Sequence, residues 1–145
     1  MNEKFYIDLI TFIILLVIYI ILVISEMRIF KKAGEKSYKA LIPFYNVYLS
    51  HKIVGMHHIW FVIEMILWVG EVVTAIVKVN HTVELSFSII TLVFTAVSEI
   101  IHATKMCNCF GKGKGYKIGI VFLPEVFLPI IAFGKSEYKK ETSIG

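Results

Sequence analysis

The sequence predicts an all-α integral membrane protein, a helical bundle of about four membrane segments plus an amphipathic segment at the interface. Three observations predict it. Of 145 residues, 57% are hydrophobic and 18% charged, with a mean hydropathy of +0.76; a soluble domain carries about 45–50% apolar and about 25% charged residues. Apolar runs recur at close to the length, about 20 residues, that a hydrocarbon core of ~30 Å demands. The basic residues, fourteen lysines and Arg28, gather mostly between those runs. The whole chain, 1–145, reads as one membrane domain, too short for a two-domain enzyme.

The first span covers residues 5–26. Residues 9–24 carry no charge, and Ser25-Glu26-Met27-Arg28 lacks the small-residue pattern of a signal-peptide cleavage site, so the segment is expected to stay as an anchor. A basic stretch with Gly34 follows. Residues 36–55 are too polar to span, holding Lys36, Lys39, Pro43, Asn46, His51 and Lys52 among Leu41, Phe44, Tyr45, Tyr48 and Leu49. That mixture suits a segment at headgroup level with half-immersed aromatics. Within it Pro43 sets a bend, Tyr45 anchors at the headgroups, and Asn46 caps a following helix through its side-chain oxygen.

Residues 58–77 and 85–104 form the second and third spans, an antiparallel hairpin joined by a short link. The last apolar run, 118–133, holds Pro124, Glu125 and Pro129. A proline removes a backbone bond that lipid cannot replace, so this segment either spans as a shielded, kinked helix or dips in and returns. Orientation follows from charge. With the N-terminus outside, a spanning fourth segment leaves ten Lys/Arg inside and five outside, and a re-entrant one leaves thirteen and two. Both satisfy the positive-inside rule, and the side of the C-terminus stays open at this point.

Carboxylates inside lipid cost on the order of 2.5–3.5 kcal/mol each at mid-helix. Glu64, Glu71, Glu99 and His102 therefore form the candidate intramembrane polar cluster. Glu64 and Glu71 lie two turns apart on one helix face, and Glu99 and His102 share another. Glu64 and Glu99 sit at similar depth in the hairpin. Such groups glue helices together, handle a proton or cation, or line a water-filled or partner-facing site. Glu125 after Pro124 suits a helix N-terminus. Lys31, Lys32, Lys36, Lys39, Lys112 and Lys114 are expected to face anionic headgroups. A single arginine and no base-stacking platform exclude nucleic acid as a partner; membrane lipids, another membrane protein or a second copy remain.

No catalytic residue is expected, since no serine lies in G-x-S-x-G and there is no H-E-x-x-H. Neither a metal nor a cofactor is expected: His102 with Cys107 and Cys109 is one ligand short of a zinc site. Gly111-Lys112-Gly113-Lys114-Gly115 lacks the phosphate-loop spacing.

Lys32-Ala33-Gly34 with Ile42-Pro43-Phe44-Tyr45-Asn46, and Phe110-Gly111-Lys112-Gly113 leading to Leu123-Pro124 and Pro129-Ile130-Ile131-Ala132-Phe133-Gly134, form an ordered pattern. It resembles a family of uncharacterised bacterial multi-span membrane proteins with a K-A-G…I-P-x-Y-N loop and an F-G-K-G…L-P…F-G run. The sequence departs from that pattern around Trp68 and Glu71. The resemblance implies a small multi-pass protein of the cytoplasmic membrane with no assigned role. Some members are labelled signal peptidase I, yet the catalytic S-M-x-P motif of that enzyme is missing here. The leading expectation is a non-enzymatic protein acting through lipid or partner contacts. The alternatives are a small proton- or cation-coupled transporter using the intramembrane carboxylates, and a membrane peptidase.

Overall fold

The computed structural model describes residues 3–140, so the ends of the expected single domain, 1–2 and 141–145, lie outside the described residues. Every regular element among the described residues is helical. Helix α1 spans Glu3–Lys32, a short 3-10 helix spans Ser37–Leu41, and α2 spans Tyr45–Ile53. Then come α3 (His58–Val77), α4 (His81–Cys109), α5 (Lys114–Phe122) and α6 (Pro124–Phe133).

Three of these, α1, α3 and α4, are long and apolar enough to cross a membrane. At 1.5 Å per residue they measure roughly 45, 30 and 44 Å. Two run past the expected limits because nothing in the sequence stops them. Helix α1 continues through Lys31 and Lys32, whose charges complement its C-terminal dipole. It ends at Gly34 (φ 81°), where the Glu35 N–H donates to the Phe30 carbonyl at 2.8 Å. Helix α4 starts four residues earlier than expected because Asn80 caps it, its side-chain oxygen accepting from Thr82 N–H at 3.0 Å. It ends at Gly111 (φ 64°), with Lys112 N–H on the Cys107 carbonyl in the same closing motif.

The fourth apolar run is two short helices rather than one. Helix α5 stops at Leu123 because Pro124 has no N–H to give the Ile120 carbonyl, and α6 begins with that proline at its first position. The two pack against each other, with α5 on α4 and α6 on α1. Their approach is close: a Cβ at Gly119 would overlap the Phe127 ring. Each helix is only about 14–15 Å long, half the thickness of a hydrocarbon core, and the pair folds back on itself as a hairpin.

The tail after α6 lies at the end of the bundle from which α5 starts. Lys32 Nζ donates to the carbonyls of Ile131 (2.7 Å), Gly134 (2.7 Å) and Ser136 (3.1 Å), closing the C-terminus of α6. Tyr138 Oη donates to the Ile53 carbonyl at 2.5 Å, and Lys139 N–H to the Cys109 carbonyl at 2.7 Å. The ends of α1, α2, α4 and α6 thus meet at one end of the bundle. There the core gathers: Ile29, Phe30, Leu49, Val54, Met106, Phe110, Ile120 and Ile131 are all buried. The outer part of α1 is exposed on every side, as a helix bathed in lipid is.

Candidate functional site

Where the tip of the α5–α6 hairpin meets α1, α2, α3 and α4, a cavity of about 350 Å³ opens between the elements. Its polar lining is Glu26 from α1, Ser50 and His51 from α2, Glu64 from α3, and Glu99 and His102 from α4. Its apolar lining includes Leu22, Val121, Pro124 and Leu128. Glu99 is exposed, at the rim.

Helix α2 is what completes the site. It is amphipathic, with Leu49, His51 and Ile53 buried while Tyr45 and Lys52 face outward. Phe44 precedes it with φ 63°, an unfavourable conformation for a bulky residue; its ring packs on Trp68, centroids 5.3 Å apart. His51 is 6% exposed, and its Nε2 lies 3.6 Å from Glu64 Oε1. Its Nδ1 is buried and closes no hydrogen bond among the described residues. The His51 and His102 rings meet edge to face at 5.5 Å. Burial holds the His51 imidazole below the ordinary histidine range, against the opposing pull of Glu64. His102 Nε2 and Ser50 Oγ are hydrogen-bonded at 2.8 Å. Ser98 Oγ, 1% exposed, donates to Glu64. Asn46 Nδ2 donates to Glu26 Oε2 at 3.3 Å.

The expected cluster of Glu64, Glu71, Glu99 and His102 is therefore divided. Glu64, Glu99 and His102 share the cavity, while Glu71 accepts from Ser88 Oγ at 3.2 Å elsewhere along the α3–α4 interface. Two helical turns put Glu71 on the face of Glu64 but about 10 Å away along the axis. Sequence reasoning missed Glu26, Ser50, His51 and Ser98. Glu26 lay at the outer limit of the expected first span, and His51 in a segment expected at the interface. Apolar Leu49 and Ile53, one turn apart, were a signal that α2 turns a face inward, but His51 lies about 200° round the helix from Leu49, so that spacing did not mark it.

Asn46 does not cap α2 from outside as expected; it is the second residue of the helix, and its Oδ1 accepts from Val47 N–H at 2.8 Å. Pro43 and Tyr45 are exposed, with Tyr45 against Tyr48 at 5.7 Å. Glu125 takes its expected place in the first turn of α6. Among the expected headgroup lysines, Lys31, Lys36 and Lys114 are exposed, and Lys112 lies over the Tyr116 ring at 4.8 Å. Lys32 is turned inward onto the three carbonyls of α6 and the tail, and Lys39 pairs with Glu35 at 2.6 Å. The Lys39 hydrogen bond holds the Glu35 carboxyl below the usual carboxylate range, with Lys52 adding to it. Among the described residues no group of three His, Cys, Asp or Glu side chains has the spacing to hold a metal ion.

These features define a small helical protein with three candidate membrane spans, a short returning hairpin and a carboxylate–histidine cavity at its tip. The chain belongs to the family of unknown function DUF5684, whose match covers residues 38–141. That stretch contains the Ile42–Asn46 and Phe110–Gly134 blocks and begins after Lys32-Ala33-Gly34. No curated protein and no solved structure matches the chain.

Proposed function

We propose that this is a non-enzymatic, multi-pass protein of the cell membrane that holds an exchangeable positive charge, a proton or a small ammonium-type solute, in the cavity between its helices. One observation carries the reading: three carboxylates and two imidazoles from four helices converge on a single cavity of about 350 Å³. Burying such groups costs several kcal/mol each unless charge is compensated. A bound proton or cation supplies that compensation, and the buried His51 Nδ1 leaves a further polar atom for water or a ligand. The ligand spacing favours a proton or organic cation over a metal. The Ser50–His102 pair has the separation of a nucleophile and base, but Glu64 is engaged by Ser98 and His51 and so does not orient His102. That arrangement argues against the peptidase reading.

On this reading the N-terminus lies outside. With the hairpin returning, thirteen Lys/Arg lie at the end that holds the tail and two, Lys4 and Lys78, at the other, in line with the positive-inside rule. A second reading, contact with another membrane protein, draws on the outer part of α1, where Phe5, Ile10, Phe12 and Leu15 are all exposed.

Charge displacement on a solid-supported membrane tests the proposal. A proton site responds to a pH jump alone; an ammonium-type site also responds to added tetramethylammonium at constant pH. Glu64→Gln removes the response, and Glu71→Gln, outside the cavity, keeps it. A folded wild-type protein that displaces no charge in either arm overturns the reading.

A further inference from the structure

We infer that the end of the bundle gathering the loops and the tail is a docking face for anionic lipid headgroups, and that the tail lysines belong to it while Lys32 and Lys39 do not. This rests on the topology and is independent of the cavity. The returning hairpin and the Tyr138–Ile53 and Lys139–Cys109 bonds bring Lys135, Lys139 and Lys140 to the end that already holds Lys31, Lys36 and Lys114. All six are exposed. The acidic residues exposed or half-buried around them are few: Glu35 is already paired with Lys39 and Lys52, and Glu137 lies in the tail itself. The opposite end has Lys4 and Lys78 against Glu3, Asp8 and Glu84. Lys32 and Lys39 drop out because the first closes α6 and the second is held by Glu35.

The surroundings of these lysines select a membrane surface over a soluble polyanion. Tyr38, Leu41 and Ile42, in the same segment as Lys36, are 54, 59 and 44% exposed. An aromatic and aliphatic rim next to a cationic face matches the layering of a bilayer, hydrocarbon below and phosphate above. A nucleic acid or an acidic protein would leave that rim in water. Attraction to an anionic leaflet is long-ranged only over a Debye length, so it falls with salt.

Thermal unfolding of the full-length protein in a neutral detergent, with added phosphatidylglycerol or phosphatidylcholine, is the test. Phosphatidylglycerol should raise the midpoint and phosphatidylcholine should not. Most of the rise should vanish in 0.5 M NaCl, and also in the Lys114→Gln/Lys135→Gln/Lys139→Gln/Lys140→Gln variant, whose exposed substitutions leave the midpoint without lipid unchanged. The inference is overturned by equal shifts with the two lipids, by a salt-insensitive shift, or by a full shift in the quadruple variant. It is overturned equally by a shift of the same size from an oligonucleotide or polyglutamate.

Discussion

His51 stands between Glu64 and His102, and its burial sets a definite pH dependence for the folded protein. Its folded pKa lies below the unfolded value, so the unfolded chain takes up the proton first and acid draws the protein toward unfolding. The contribution of neutral His51 is intact above an ordinary histidine pKa of about 6.5, declines below it, and levels off beneath the folded pKa. The stability difference between wild type and His51→Phe, measured by thermal unfolding in detergent from pH 8 to 5, should therefore shift in favour of the variant as pH falls. A pH-independent difference would contradict the assignment. Lys32 offers a second check. Lys32→Met removes three charge-assisted bonds to backbone carbonyls and should cost about 1–3 kcal/mol, with faster proteolysis of the tail. At this scale the sequence revealed residues that are conspicuous where they stand. Glu64, Glu99 and His102 are polar groups within apolar runs, and lipid makes them notable. Ser50, His51 and Glu26 are ordinary in their own stretches, and only the packing of α2 against the spans makes them part of a site.

Element by element, what was legible followed from local rules. The three long spans needed only length and apolarity. Their ends shifted where a cap or a glycine, rather than hydropathy, decides: Asn80 starts α4 early, and Gly34 and Gly111 stop α1 and α4 late. The run 118–133 stayed open between spanning and returning because both leave the same hydropathy trace. The choice lies in tertiary contacts, the Gly119–Phe127 approach and the seat of α6 on α1. That approach is directly testable. Gly119→Val places methyl groups where the Phe127 ring lies and should destabilise the protein by about 1–3 kcal/mol. Phe127→Ala in the same chain should recover part of that loss, a coupling that thermal unfolding of the double mutant would read. Additive effects would mean that the two helices do not pack as a hairpin.

On the scale of the whole molecule, the fold places a polar cavity at the tip of a hairpin about 15 Å long, between long helices whose outer parts are apolar. Within a bilayer, backbone left without partners by a proline is tolerated only beside protein or a wet cavity, and here Pro124 itself lines the cavity. The all-helical class and three helices long and apolar enough to cross a membrane were readable from composition and the length of the apolar runs. The end of the bundle that holds the tail was not, because it depends on two bonds, Tyr138 to Ile53 and Lys139 to Cys109, that join positions far apart in the chain. Sidedness of labelling at single cysteines tests this arrangement most directly. In a Cys107→Ser/Cys109→Ser background, Asn80→Cys, Lys114→Cys and Lys140→Cys would be labelled in intact cells with a membrane-impermeant maleimide. The returning hairpin predicts that positions 114 and 140 behave alike, protected until the membrane is opened, while position 80 reacts at once. Labelling of position 140 from the outside, together with 80 and opposite to 114, would show that residues 118–133 cross the membrane and would contradict the account.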